Sequence, residues 1–474
     1  MDAGALNMPG KHHQADKAVR TVVGAACAAM LLAALHRVAF SVLAVPIQQQ
    51  FGLSLPQMGL LQSALLVGYV VGQIPLGLVA DRVGGAQLLL ACLFLWSLAT
   101  SLFAHTPNSK NPFAFMLATR AALGLGQSCI MPAVSSLSAR WLPPKQRSRY
   151  TSTIYAFFSC GTVAGLACTP FLAKQLGWPA TCLVFGLVGM AYAALTVFAL
   201  PSGATPHQSW LGQSRQQQQP TLKAGLAGVS PPSGSVTGGG LHGDGPAGAL
   251  FQQTGPMQPQ KARQRSSRVP PGTLAHLLTL CFVHSVISWA FFVLQSWLPT
   301  FFHSLGAFGS LESVGVLSAL PWLATAGVSV VAGSLADWAQ ARRQLPALTV
   351  RRTMQSIATL GAALSLVPLA LLPSAAVPAP VAVVLLTLAV ASQGFNYSGF
   401  HSYVQDVAPR DAGLVLGITN TCGTLVGIVG NVVTGYLAGG PLGYQAVFAI
   451  TVILQAASYV LWMLGARGEA LQLT

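Results

Sequence analysis

Carboxylates are what this sequence has least of: nine Asp and Glu among 474 residues, against 24 Lys and Arg. Charged residues of both signs make up only 7%, where a water-soluble domain carries about 25%. So little charge cannot cover a surface facing water, which excludes a soluble globular protein. The eight cysteines (Cys27, Cys92, Cys129, Cys160, Cys168, Cys182, Cys281, Cys422) all lie in apolar runs. They show neither CxxC nor ligand spacing, so no zinc site or disulfide framework is expected; they read as small packing residues. Neither GxSxG nor HExxH occurs, no buried carboxylate pair is available, and "GLGQSC" is too weak for a nucleotide loop. An enzyme is not expected, nor a cofactor or resident metal.

What is present is apolar length. Hydrophobic residues make up 53% and the mean hydropathy is +0.60. A membrane helix needs about 20 mostly apolar residues, and such runs fall near 22–45, 58–80, 87–104, 113–138, 151–173 and 178–200. A second set lies near 274–298, 312–336, 353–373, 381–402, 412–438 and 444–465. The stretch 201–273 differs, with "QSRQQQQP", "PPSGSVTGGG" and "KARQRSSR", too poor in apolar residues to fold. The expected fold is an all-α membrane protein of twelve transmembrane helices in two six-helix halves. Its divisions are a tail 1–21, a half 22–200, a disordered linker 201–273, a half 274–465 and a tail 466–474.

The net charge of +15 and pI near 9.9 reflect topology. Lys11, Lys17 and Arg20 precede span 1, and Arg82 follows span 2. Arg140, Lys145, Arg147 and Arg149 lie between spans 4 and 5, and Arg215, Lys223, Lys261, Arg263, Arg265 and Arg268 in the linker. Arg342, Arg343, Arg351, Arg352, Arg410 and Arg467 complete the same side, opposite Lys110 and Lys174. By the positive-inside rule both termini and the linker are cytosolic, or on the equivalent side of an organelle. The basic excess is thereby explained without nucleic acid. The bilayer is the expected partner, and a monomer suffices for the fold.

The halves resemble each other in order. "GLVADRVGGAQ" after span 2 recurs loosely as "GSLADWAQARR" after span 8, making Asp81 and Asp337 equivalent. "CGTVAG" in span 5 matches "CGTLVG" in span 11, and "FLAKQLGW" matches "YLAGGPLGY". Parallel six-helix repeats are the architecture of the major facilitator superfamily, in which substrate is held midway between the halves.

Two cations, Arg37 in span 1 and Arg120 in span 4, have no place in a loop, and no acidic residue falls mid-membrane. A charge at the centre of a membrane helix costs about 2.5–3.5 kcal/mol or more, so it marks a functional cavity. Guanidinium forks suit phosphate and carboxylate, which points to a small anionic substrate. The competing reading is pairing with backbone carbonyls or snorkelling to an interface. Helical spacing puts Gln62, Tyr69 and Gln73 on one face and Arg120, Gly124, Gln127 and Met131 on another, with Gly124 leaving room beside the arginine. Tyr155, Ser159, Trp289, Asn396, Tyr397 and His401 complete a candidate lining, for which interhelical packing is an equal reading. His36, His284 and His401 are the intramembrane groups that titrate near neutral pH and the candidates for coupling. The sequon at Asn396 lies inside a span and is not expected to be glycosylated. Gly77, Asp81, Arg82, Gly84 and Gly85, with Asp337 in the second half, form a candidate gating motif, Asp81 accepting from the arginines between spans 4 and 5.

"HRVAFSVLAVPI", "GYVVGQIPLGLVADRVGG", "RAALGLGQSCIMPA" and "SGFHSYVQDVAPRDAGLVLGITNTCGTLVG" resemble solute carrier family 17. That group includes vesicular glutamate transporters, sialin and type I sodium–phosphate transporters. "RWLPPKQRSR" and "QSWLPTFF" bring the resemblance nearest to its plant anion-transporter branch, associated with inorganic phosphate and in at least one case ascorbate. It covers both halves and not the linker. It implies alternating access and casts Arg37 and Arg120 as the arginines that hold the anion. One departure matters: where the family usually has Glu, this chain has Gln127, which cannot titrate. Helix 7, where relatives place a basic residue, has Ile287 beside Ser288. Carboxylate-based proton symport is thereby put in doubt, and coupling through sodium, a histidine or the proton of dihydrogen phosphate stays open, as does exchange without coupling. Inorganic phosphate is the first expectation and ascorbate or another organic anion the second; an anion-sensing receptor on the same fold is the alternative of a different class. The membrane is a plastid membrane by the family, with endomembrane and plasma membrane open.

Overall fold

The computed structural model describes residues 9–142, 147–199, 271–373, 376–408, 412–469 and 471. The expected linker lies outside the described residues except for its last three, which already belong to a helix. In the first half, α1 is Pro9–Phe51, α2 Leu55–Val83, α3 Gly85–Phe103, α4 Pro112–Gln127, α5 Ile130–Trp141, α6 Arg147–Leu176 and α7 Trp178–Ala199. In the second, α8 is Pro271–Ser304, α9 Leu311–Ala341, α10 Ala347–Leu371, α11 Ala379–Ser392, α12 Ser402–Val407, α13 Ala412–Ala438 and α14 Tyr444–Gly465. Among the described residues, twelve helices are long and apolar enough to cross a membrane.

Two expected spans are not single α-helices. Span 4 breaks between α4 and α5, where Pro132 lacks the N–H that would bond Ser128 and crowds that residue's carbonyl. Span 10 runs as α11, then a 3-10 turn Gln393–Asn396, a π turn Tyr397–His401, and α12. The π turn is held from outside, since Gln355 Oε1 accepts from the Phe400 N–H at 3.1 Å and Ser398 O from Arg351 Nη1 at 3.2 Å.

Helix ends follow local chemistry. Ser54 and Gln57 form a reciprocal capping box at the start of α2, and Asn111 Oδ1 accepts from the Ala114 N–H ahead of α4. The α2–α3 turn needs both glycines of "RVGG". Gly84 has φ +105°, and a Cβ on Gly85 would lie 2.0 Å from the Ala133 carbonyl oxygen.

Small residues make the long seams, as expected where lipid is as apolar as the side chains. Gly68 lies on the Ala121 backbone and Gly124 on the Leu65 backbone, joining α2 to α4. Gly161 and Gly165 of "CGTVAG" seat α6 on α1 at Leu31 and Leu35. Gly423 and Gly427 of "CGTLVG" seat α13 on α8 at Ser288 and Phe292.

The halves meet along α2–α13 and α6–α9. Gly59 packs on Asn431, Gly435 on Leu55, and Gly315 on Leu166 and Pro170. Ser63 Oγ donates to Ile428 O at 2.9 Å, and Lys174 pairs with Glu312 at 2.6 Å. Among the described residues these links run from mid-membrane to the side holding Lys110 and Lys174. The one nearest the basic side joins Thr421 Oγ1 to Gln73 Oε1 at 3.4 Å. Among the described residues the links between the halves are thus concentrated away from the basic side.

Candidate functional site

Arg37 sits midway along α1, half-buried. Its guanidinium carbon lies 5.4 Å from the ring centroids of both Tyr69 on α2 and Phe158 on α6. Arg37 Nε donates to Gln127 Oε1 at 2.9 Å, while Gln127 Nε2 donates to the Ala33 carbonyl at 2.7 Å. Both ends of the amide are thus engaged, and its oxygen points at the cation. The terminal nitrogens of Arg37 hold no hydrogen bond among the described residues, so the fork that matches a carboxylate or phosphate is free. Ring faces and an amide oxygen stabilise a cation but do not neutralise it.

Arg120 is more deeply placed, only 4% exposed. Its guanidinium carbon lies 4.1 Å above the Phe40 ring. Nε donates to Leu61 O at 3.3 Å and Nη2 to Gln62 Oε1 at 3.4 Å, both long for bonds from a charged donor. Beside it is a cavity shared with His36, Thr100, Thr119, Cys182 and Phe185. The two guanidiniums repel each other. Arg120 therefore does not stand on the central wall as the helical face suggested; it lies one layer behind, with Phe40 over it. Gly124 gives the reason. It makes no space for the arginine but lets α4 press onto the Leu65 backbone, driving Arg120 into the wedge of α1, α2 and α4.

The other first-half residues divide. Gln62 is buried and ties α2 to α8 through Nε2 to Ser296 O at 3.1 Å. Tyr69 is the buried floor beneath Arg37. Tyr155 is half-buried, its hydroxyl 3.2 Å from Met131 Sδ. His36 is buried against Phe185, one ring nitrogen 3.0 Å from the Phe185 carbonyl and Nδ1 without a partner.

The second half supplies rings in place of cations. His401 stacks on Tyr397 at 5.5 Å and 21°, and meets His284 edge-on at 5.6 Å. His284 Nδ1 is 2.8 Å from Thr419 Oγ1. Tyr397 is 57% exposed, so the stacked pair presents an open ring face. Trp289 and Asn396 do not reach that face. Trp289 is buried, with Nε1 bonded to Thr451 Oγ1 of α14 at 3.0 Å and its ring beside Gly430. Asn396 is buried in the 3-10 turn, donating to Gln393 Oε1 at 2.6 Å. Both are packing residues, because the irregular turn and the α8–α13 seam rotate them away.

Of the gating motif, Gly77 approaches Pro132, Arg82 is exposed, and Asp337 is exposed with no partner among the described residues. The side chains of Asp81, Arg140, Lys145, Arg147 and Arg149 lie outside the described residues, and with them the expected latch. Among the described residues no three of His, Cys, Asp and Glu converge as a metal site. Phe40 and Phe158, which face the two cations, escaped the sequence reading. Their signal was position: Phe40 is one helical turn after Arg37, and Phe158 is one turn after Tyr155.

A chain of twelve spans in two six-span halves is matched by a family model. The Major Facilitator Superfamily model matches residues 25–431. The chain belongs to the major facilitator superfamily. It is a multi-pass membrane protein. This facilitator is 31% identical over 442 residues to probable anion transporter 1, chloroplastic, of Oryza sativa subsp. japonica, covering 93% of this chain and 75% of that one. It is equally 31% identical to the sodium-dependent phosphate transport protein 1, chloroplastic, of Arabidopsis thaliana, over 93% of this chain and 78% of the relative. The same identity and share of this chain hold for the Arabidopsis thaliana ascorbate transporter, chloroplastic, of which 73% is covered. In fold it resembles an inward-facing, unoccupied bacterial homolog of the human lysosomal transporter Spinster (TM-score 0.67, 16% identity, 95% and 97% of the chains). It resembles a D-xylose-proton symporter as closely (TM-score 0.67, 15% identity, 95% and 99%).

Proposed function

We propose that this facilitator carries a small anion across a plastid membrane by alternating access, with inorganic phosphate as the first substrate. The observation that carries the reading is Arg37: a partly exposed guanidinium at mid-membrane whose terminal nitrogens hold no hydrogen bond among the described residues and whose contacts, Gln127, Tyr69 and Phe158, carry no negative charge. An anion arriving between the halves supplies the missing charge. Arg120 adds positive potential from behind and orients Gln62, while Gln127 and Tyr69 hold Arg37 in place. The names of the relatives favour an anion and include both a phosphate and an ascorbate carrier. Ascorbate is the second reading, favoured by the Tyr397–His401 ring stack on the opposite wall, which suits a flat hydroxylated ring better than a tetrahedral ion.

Gln127 leaves no carboxylate to carry a proton beside Arg37. Sodium is therefore the co-ion to test first, and the histidines second; His401, open beside Tyr397, is better placed than buried His36 or His284. The experiment is phosphate uptake into proteoliposomes at two pH values, with and without a sodium gradient, with ascorbate as competitor and Arg37→Ala as control. Phosphate flux lost in the variant supports the reading. Phosphate binding without flux for any anion would transfer it to the anion-sensing alternative.

A further inference from the structure

Resting on the reading of an anion carrier, we infer that this protein is an exchanger: it crosses the membrane readily only with an anion on Arg37, and returns empty slowly. The inference starts from what faces Arg37. Tyr69 comes from α2, Gln127 from α4 and Phe158 from α6. None carries a negative charge at neutral pH; the titratable member is the Tyr69 phenol, itself buried. The second cation, Arg120, is near enough to repel.

Among the described residues no carboxylate lies beside Arg37. Asp81 is a dozen residues along α2 from Tyr69, roughly 18 Å of helix. Asp16 is 21 residues before Arg37 on α1, roughly 30 Å. Glu312 is paired with Lys174 and Asp406 with Arg351. Asp337 lies at the inner end of α9, and the other acids lie in termini or connections.

Gln127 fixes this state rather than relieving it. Its two bonds, to Arg37 Nε and to Ala33 O, hold a neutral acceptor where an acid would have formed an ion pair. In the present form Arg37 is partly exposed, so water can reach it. Passage to the outward form must close the space around it and strip that water, and an unpaired charge moved from water into a dry interior is heavily penalised unless a counter-charge comes too. A bound anion is that counter-charge. The loaded carrier therefore closes, and the empty one resists closing. A carrier with this bias swaps one anion for another and accumulates little by net uptake.

The test uses the purified full chain in proteoliposomes, with labelled phosphate outside and the membrane potential clamped. Vesicles hold phosphate, ascorbate or an impermeant organic anion at equal ionic strength. Initial uptake into phosphate-loaded vesicles is expected to exceed uptake into vesicles with impermeant anion by about ten-fold or more, with or without a sodium gradient. In Gln127→Glu, a carboxylate can pair with Arg37 in the empty carrier and yield to substrate by taking a proton. That ratio should then fall towards one, through faster net uptake that becomes pH-dependent. Equal uptake into both vesicle types by the wild type would overturn the exchange inference and leave the anion carrier standing. A wild-type ratio that Gln127→Glu, correctly inserted, leaves unchanged would overturn the assignment to Gln127. Absence of phosphate and ascorbate flux under every condition would overturn both.

Discussion

In the first half, "CGTVAG" lays Gly161 on the Leu31 backbone of α1 and Gly165 against the Val38 side chain and the Leu35 backbone; in the second, "CGTLVG" lays Gly423 and Gly427 on side chains of α8. The seams are equivalent, and the linings they support are not. One side presents two guanidiniums held by rings and an amide, the other His284, His401 and Tyr397 with no fixed charge. A seam between helices in lipid needs small residues whatever is carried, so the glycine motif recurs in both halves. A charge at that depth persists only where something answers it, so the linings are free to differ. On the proposed function, anion capture belongs to the first half and shape selection to the second.

The comparison breaks most sharply at Arg37. Arg37→Ala should lower anion flux by about 100-fold or more, since a desolvated charge pair is lost. Arg37→Lys should not restore it, because lysine is a point donor that cannot serve Gln127 and an anion fork together. Flux per inserted molecule in proteoliposomes checks both, and wild-type rates in either would remove Arg37 from the site.

The glycine seams come next, measured as thermal stability in detergent. A Cβ on Gly161 meets the Leu31 carbonyl at 2.1 Å, which is backbone and cannot yield, whereas one on Gly423 meets Ser288 Oγ at 2.2 Å, which can rotate. Gly161→Ala should therefore cost about 1–3 kcal/mol and Gly423→Ala less than about 1 kcal/mol. Equal losses would mean that the seams are energetically alike after all.

A smaller change is expected on the ring wall. His401→Ala should raise KM for a ring-bearing anion by about 3–10-fold, the range of one hydrogen bond, with little effect on phosphate. His36→Ala, buried beside Phe185, should alter stability rather than selectivity. The reverse pattern would move selection into the first half. The least effect belongs to Lys174→Ala. Lys174 is 69% exposed on the outer side, and its pair with Glu312 joins α6 to α9. Flux should change less than about two-fold, as is usual for exposed ion pairs.

The sequence alone determined the spans, the repeat and the isolation of Arg37 and Arg120, because each depends on composition along the chain. About twenty apolar residues are long enough to cross a bilayer whatever they pack against. Likewise the replacement of an acid by Gln127 is visible without coordinates. What only the tertiary structure decided was depth and facing. Arg37 is partly exposed while Arg120 lies behind Phe40, because Gly124 lets α4 sink onto α2. Trp289 turns to Thr451 where α8 packs on α13, and Asn396 into its own 3-10 turn because span 10 departs from the helical period on which its face had been drawn. A period of 3.6 residues places side chains on a straight helix; which face meets the substrate depends on where that helix breaks and what it packs against.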